Sequence, residues 1–324
     1  MSHPVIEVNS LTRTFKTSRG ILRRSNKSVE AVKGIDLTVE RGELFGLLGP
    51  NGAGKTTTIK MLITLLLPTS GSATVLGHDV IQDPLAVRRK VGYVFGGDRG
   101  LYERLSGLDN LRYFAELYGV PPRESKQRIG ELLEVVGLTG QEKLRVEGYS
   151  RGMRQRLHIA RGLLHKPEVL FLDEPSIGID PVGARALRAT VKDLVDNGTT
   201  VLLTTHYMFE ADELCNRLAV IVNGRIVAAG TPADLKRNVT TGSVVEVDLY
   251  DMPGGLLEKL RAQEDVHSVN VEERGQAEVL TVYGKPGADI SRTVMGHLEG
   301  GRFGRLITRE PTLEDAYVEL VNAA

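Results

Sequence analysis

Gly49–Thr57 reads GPNGAGKTT, and the six residues before it, Glu43 to Leu48, form a short, mostly apolar run. From Lys55 to Leu67 apolar side chains recur at helical spacing. A strand, a glycine turn and a helix in that order match the phosphate loop, G-x-x-x-x-G-K-[ST]. Gly49, Gly52 and Gly54 let backbone N–H groups close round phosphate oxygens, and Pro50, Asn51, Ala53 and Thr57 complete the turn. Lys55 is then placed to reach the outer phosphates and Thr56 to ligate magnesium. The phosphates meet a helix N-terminus, where unpaired N–H groups and the helix dipole favour negative charge.

Outward from this loop, composition bounds the rest. At 324 residues the chain exceeds what one hydrophobic core usually organises, which predicts two domains. Its 41 basic and 41 acidic residues create no global field for nucleic-acid binding. The balance is local: residues 240–324 hold 8 Lys or Arg against 15 Asp or Glu, a net −7, leaving 33 against 26, or +7, for residues 1–239. The single cysteine, Cys215, excludes an internal disulfide, suits a reducing compartment and reads as a small apolar helix residue. The opening MSHPVIEVNS lacks the charged and apolar regions of a secretion signal. The longest unbroken apolar run, Leu218 to Val222, is far short of the roughly 20 residues a spanning helix needs. Any membrane role therefore falls to a partner.

Strands are expected at Val5 to Phe15 and Ala31 to Glu40, joined by a basic loop or hairpin, Lys16 to Ser28. Lys16, Arg19, Arg23, Arg24 and Lys27 there suit either a solvated face or contact with anionic lipid headgroups. Further strands are expected at Ala73 to Leu76, Val91 to Phe95, Val169 to Leu172 and Val201 to Thr205, with a helical stretch over Asp109 to Val136. Ser150 is a good N-cap for a helix that Pro167 forbids beyond about His165. This alternation predicts an α/β core with a largely parallel sheet. Beyond residue 239 the order β-α-β-β-α-β suggests a small α+β, ferredoxin-like module. It closes on EPTLEDAYVELV, where Thr312 and Asp315 form a capping box.

Val169 to Pro175 reads VLFLDEP and sets two carboxylates at the end of a buried strand. Asp173 suits magnesium, and Glu174 suits polarising a water that attacks a phosphate. With YSRGMRQR at Tyr149–Arg156 shortly before it, the chain resembles the ATP-binding subunit of an ABC transporter from Val5 to about Leu235. The octapeptide is similar to that family's LSGGQ-type signature, Gly178 to Asp180 to its D-loop, and TTH at Thr204 to His206 to its switch histidine. The resemblance implies ATP and Mg2+ as cofactors, an ABC-type fold with antiparallel and helical subdomains, the latter at about 100–165, and an ATP-binding domain over 1–239 with an accessory domain over 240–324. It implies a head-to-tail dimer in which each ATP lies between one copy's phosphate loop and Ser150, Arg151 and Gly152 of the other.

By the same resemblance Phe15 stacks on adenine, Asp180 makes dimer contacts and His206 senses the γ-phosphate; core phenylalanine, turn aspartate and core histidine are the plainer alternatives. Two departures stand out. The signature has Arg151 and Met153 where the family has glycine and usually glutamine. Val91 to Leu101 reads VGYVFGGDRGL, without the family's Q-loop glutamine, and Asp98 is the candidate replacement at the metal. The tail resembles that following ABC-2 type exporters of drugs, antibiotics and polysaccharides. The expected role is an ATPase that powers export through a separate permease, on the cytoplasmic face of the cell membrane. A soluble ABC-type ATPase acting on nucleic acid or ribosomes is the alternative; it usually carries a coiled-coil insertion or a second cassette, and neither is found here.

Overall fold

The structure is a computed structural model that describes residues 4–19, 25–96, 100–237, 242–274, 277–285, 287–298 and 302–323. The chain divides into two compact units, Met1–Pro232 and Ala233–Ala323, so the change falls before the expected 239/240 boundary.

In the first unit β1 (Ile6–Arg19) and β2 (Ser25–Val39) form an antiparallel hairpin. These strands outrun the expected ends because the ladder continues from Phe15↔Val29 to Arg19↔Ser25. The basic connection is thus largely strand; Arg23 and Arg24 lie outside the described residues. β3 (Leu44–Leu48), buried at every position, leads through the glycine turn into α1 (Lys55–Leu62). Thr64 (φ +64) and Pro68 stop that helix short of Leu67. β4 (Ser70–Val75) and β5 (His78–Asp79) extend the hairpin into a four-stranded sheet of order β2-β1-β4-β5.

Next come α2 (Pro84–Lys90), β6 (Val91–Phe95), α3 (Gly107–Leu117), α4 (Pro122–Val135) and α5 (Arg151–Leu163). One helix was expected over Asp109 to Val136, and the structure has two. Gly119 adopts φ +70, and Pro121 and Pro122 then forbid continuation while suiting the first turn of a new helix. After β7 (Val169–Asp173) the chain alternates through α6 (Pro181–Asp196), β8 (Thr200–Thr205), α7 (Met208–Leu214), β9 (Arg217–Val222) and β10 (Arg225–Gly230). The six-stranded sheet runs β10-β9-β3-β8-β7-β6, parallel from β9 to β6 with β10 antiparallel at one edge. This is the expected parallel core with an antiparallel sheet beside it. Cys215 is not helical but caps α7 in extended conformation; it is buried, and burial pushes its thiol up.

Ile6, Leu11 and Ile35 of the antiparallel sheet share one core with Phe45 and Leu47 of β3, Ile59, Met61 and Leu62 of α1, and Phe171 of β7. Each such side chain contributes about 1.5–3 kcal/mol on burial. The consequence is positional: the phosphate loop is seated on a rigid strand and a helix fixed on its apolar face.

α8 (Pro232–Arg237) spans the division between the units. The second unit follows β11 (Val244–Leu249), α9 (Leu256–Arg261), β12 (Val266–Arg274), β13 (Ala277–Gly284), α10 (Ile290–His297), β14 (Phe303–Arg309) and α11 (Leu313–Asn322). Its sheet is antiparallel throughout, in the order β12-β13-β11-β14. Val245, Val247, Leu280 and Val282 pack with Leu256 and Leu260 of α9 and Ile290 and Val294 of α10. Thr312 and Asp315 form the capping box of α11, and Arg309 pairs with both Asp315 and Glu246. Burial alone would raise the Asp315 carboxyl, but bonds from Arg309 and Thr312 hold it below the ordinary range. Among the described residues no helix is long and apolar enough to cross a membrane.

Candidate active site

β3 ends where Gly49 must pass the backbone of β9: a Cβ there would lie 2.2 Å from the Ile221 carbonyl oxygen. Gly54 takes φ +113, and a Cβ on it would meet the Ala31 carbonyl oxygen at 2.6 Å. Only glycine satisfies both demands. The turn is tied by Ala53 N–H donating to Pro50 O at 3.2 Å, while Asn51 and Gly52 face outward. Lys55 is buried, with Nζ 2.8 Å from Gly49 O and 3.2 Å from Pro50 O. Thr56 and Thr57 are half-buried on the first turn of α1.

The end of β7 meets this loop. Thr56 Oγ1 donates to Asp173 Oδ1 at 3.1 Å, and Lys55 Nζ lies 3.3 Å from Glu174 Oε1. Glu174 adopts φ +50, a conformation uncommon outside glycine, which turns its side chain from the strand direction. Its other oxygen stands 3.4 Å from His206 Nδ1, a close approach without hydrogen-bond geometry. Lys55, Thr56, Asp173, Glu174 and His206 therefore form one cluster at the mouth of the phosphate loop. Thr56 and Asp173 would supply hard oxygen donors of the kind magnesium takes, so the donor set fits that ion.

Phe15 lies on β1 with one flank covered by the Arg13 guanidinium, 4.8 Å from its ring centroid, and it is 37% exposed. It pairs with Val29, two residues or about 7 Å along β2 from the Ala31 carbonyl that abuts Gly54. Ser150, Arg151 and Gly152 form a second cluster. Ser150 caps α5 by accepting from Met153 N–H at 3.2 Å, and Arg151 Nη1 donates to Gly178 O at 3.3 Å. A Cβ on Gly152 would sit 3.3 Å from the Gly183 Cα. Asp180 caps α6, accepting from Val182 and Gly183 N–H at 3.0 and 2.9 Å. Among the described residues no hydrogen bond or ion pair joins the side chains of this cluster to those of the first. Asp98 lies outside the described residues.

Sequence reading missed three groups. Tyr93 OH donates to Asp173 Oδ2 at 3.3 Å; burial first, then the Asp173 charge, pushes its phenol up, so it stays a donor. Thr204 Oγ1 donates to Asp173 Oδ1 at 2.7 Å. Buried Glu210 accepts from Ser176 and Thr205 hydroxyls at 2.8 and 2.9 Å, linking the end of the strand just before His206 to the segment before Asp180. The available signal was register: parallel strands β6, β7 and β8 place Phe95, Asp173 and Thr204 side by side.

The model of the ABC transporter family matches residues 32–177. The linearmycin resistance ATP-binding protein LnrL of Bacillus subtilis is 39% identical over 242 residues, 75% of this chain and 78% of that protein. A fluoroquinolones export ATP-binding protein of Mycobacterium tuberculosis is 46% identical over 219 residues, 67% of this chain and 71% of that protein. A solved structure of the ATP-binding subunit of an ABC transporter superposes with TM-score 0.60 at 30% identity, covering 72% of this chain and 92% of that one.

Proposed function

The chain belongs to the ABC transporter family of ATP-binding proteins, and from that premise we propose that it hydrolyses ATP to power export through a separate membrane permease. The observation that carries the reading is the convergence of Lys55, Thr56, Asp173, Glu174 and His206 on one loop mouth. Backbone N–H groups of residues 52–57 and Lys55 bind the phosphates, and Phe15 offers an aromatic face to adenine. Thr56 and Asp173 would hold magnesium, which neutralises phosphate charge when bound.

Glu174 then accepts a proton from water as the water oxygen bonds to the γ-phosphorus. The bond from that phosphorus to the β–γ bridging oxygen breaks, and its electron pair leaves with ADP. His206, beside Glu174, contacts the departing phosphoryl group and reports its loss. Ser150, Arg151, Gly152 and Asp180 of a second copy close over the nucleotide, bringing another helix N-terminus to the γ-phosphate. Drug resistance and export in the names of its relatives favour a drug-like cargo. The protein would act on the cytoplasmic face of the membrane, held there by the permease.

The second unit is read as a ferredoxin-like accessory module; its β-α-β-β-α-β order and the strand order β12-β13-β11-β14 support that assignment. To test the main proposal, the chain is co-expressed with any membrane permease whose gene is found adjacent to its own. Membrane fractions should then carry the chain together with ATPase activity that Lys55→Ala abolishes. An active chain that never sediments with the permease would overturn the transport role.

A further inference from the structure

Asp173 is reached by three protein hydroxyls. Thr56 and Thr204 donate to Oδ1 at 3.1 and 2.7 Å, and Tyr93 donates to Oδ2 at 3.3 Å. Thr204 differs from the other two because it also governs the next residue. Its Oγ1 accepts the Glu174 N–H at 3.0 Å, and its carbonyl oxygen accepts the same N–H at 3.0 Å. The left-handed backbone at Glu174 is sparsely populated by residues with a side chain, so it persists where neighbours over-determine it. Thr204 supplies both acceptors that hold it. The residue is fully buried on β8, whose pairing with β7 sets it opposite Asp173, and its strand ends one residue before His206.

We propose that Thr204 is a positioning residue for the ATPase reaction: one hydroxyl orients the Asp173 carboxylate and pins the turn that aims Glu174. This rests on the reading of Asp173 as the carboxylate that holds magnesium. Its direct partner is the Asp173 oxygen atom that also faces Thr56, so loss of the hydroxyl frees the carboxylate to rotate away from Thr56. Valine retains the β-branched shape and its preferred rotamer while removing the donor and acceptor. Serine retains the hydroxyl and removes only a methyl group. The two replacements therefore separate chemistry from packing.

The test measures binding of a fluorescent ATP analogue with Mg2+ and with EDTA, in full-length protein carrying Glu174→Gln so that turnover does not intervene. Partners behind a metal ligand typically govern about 10–100-fold in metal affinity or activity. Thr204→Val should therefore reduce the Mg2+-dependent tightening of ATP binding by about tenfold, with Kd in EDTA changed less than about twofold. Thr204→Ser should restore the tightening, and Thr204→Ala carries the same test if the valine variant does not fold. Equal weakening with and without Mg2+ would mark a purely structural residue and overturn the proposal. Retained tightening in Thr204→Val, alongside its loss in Asp173→Asn, would overturn it while leaving the role of Asp173 intact. Retained tightening in Asp173→Asn would instead remove the reading on which the proposal stands.

Discussion

Glu174, the proposed base, is held at a cost to its own backbone, since φ +50 is strained for a residue with a Cβ. Its carboxylate lies between Lys55 and His206, so removing its charge changes both neighbours as well as the proposed activation of water. Glu174→Gln keeps the shape and should lower ATP turnover roughly 100-fold or more while retaining ATP binding. Phosphate release and equilibrium nucleotide binding measure the two effects separately, and an unchanged rate would exclude Glu174 as the base. The loop, Asp173, Glu174 and His206 were legible in the sequence because each residue type sits in a short local pattern. Thr204 and Tyr93 were not, because they reach Asp173 from 31 and 80 residues away through strand pairing. Tyr93 sits in no motif, and Thr204 opens the TTH segment only as a flank of His206, for a threonine or tyrosine in a strand is ordinary packing.

Among the elements, α5 joins the signature residues at its N-terminus to a series of buried polar side chains behind them. Gln155 donates to Phe95 O at 3.2 Å and Arg161 to Gly100 O at 2.6 Å, so the helix grips both flanks of the segment that holds Asp98. Between these two on the same face is His158, fully buried, with neither ring nitrogen hydrogen-bonded. Burial, assisted by the Arg161 charge, pushes its imidazole down to about 3. The unfolded chain binds a proton near pH 6.5 that the folded chain refuses until about pH 3, so this group withdraws stability as pH falls between those values. Its contribution is complete above pH 6.5, and the loss approaches about 1.4 kcal/mol per pH unit within the window. Denaturant unfolding from pH 7 to pH 4 should show His158→Ala with the flatter profile. His165, also lowered by burial, leaves a residual slope, and equal slopes in both proteins would refute the assignment. The same region shows why helix boundaries were harder to read than helix existence. Apolar periodicity runs from Asp109 to Val136 across Gly119, Pro121 and Pro122, and local backbone chemistry overrides the pattern at the break.

For the whole molecule, the parallel core was legible because apolar runs alternate with helical segments, and the second unit because its strand pattern changes beyond residue 239. The extent of the β1–β2 hairpin was not, since basic residues hid strand pairing that the ladder alone maintains. Among the described residues no hydrogen bond or ion pair joins the side chains of Ser150, Arg151 and Asp180 to those of Lys55, Glu174 and His206, and a site shared between two copies has a kinetic consequence. If each hydrolytic site draws on two copies, chain concentration enters the rate law twice. At protein concentrations far below the dimer dissociation constant, halving the amount of chain should cut total ATP turnover about fourfold, and at saturation about twofold. A dilution series of phosphate-release rates would show the crossover, and strict proportionality throughout, for a chain that sizing shows to be monomeric, would refute shared sites. Pairing would then make local abundance at the membrane a control on fuel use: scattered copies would spend almost no ATP, and gathering them on one permease would switch expenditure on without any change in nucleotide level.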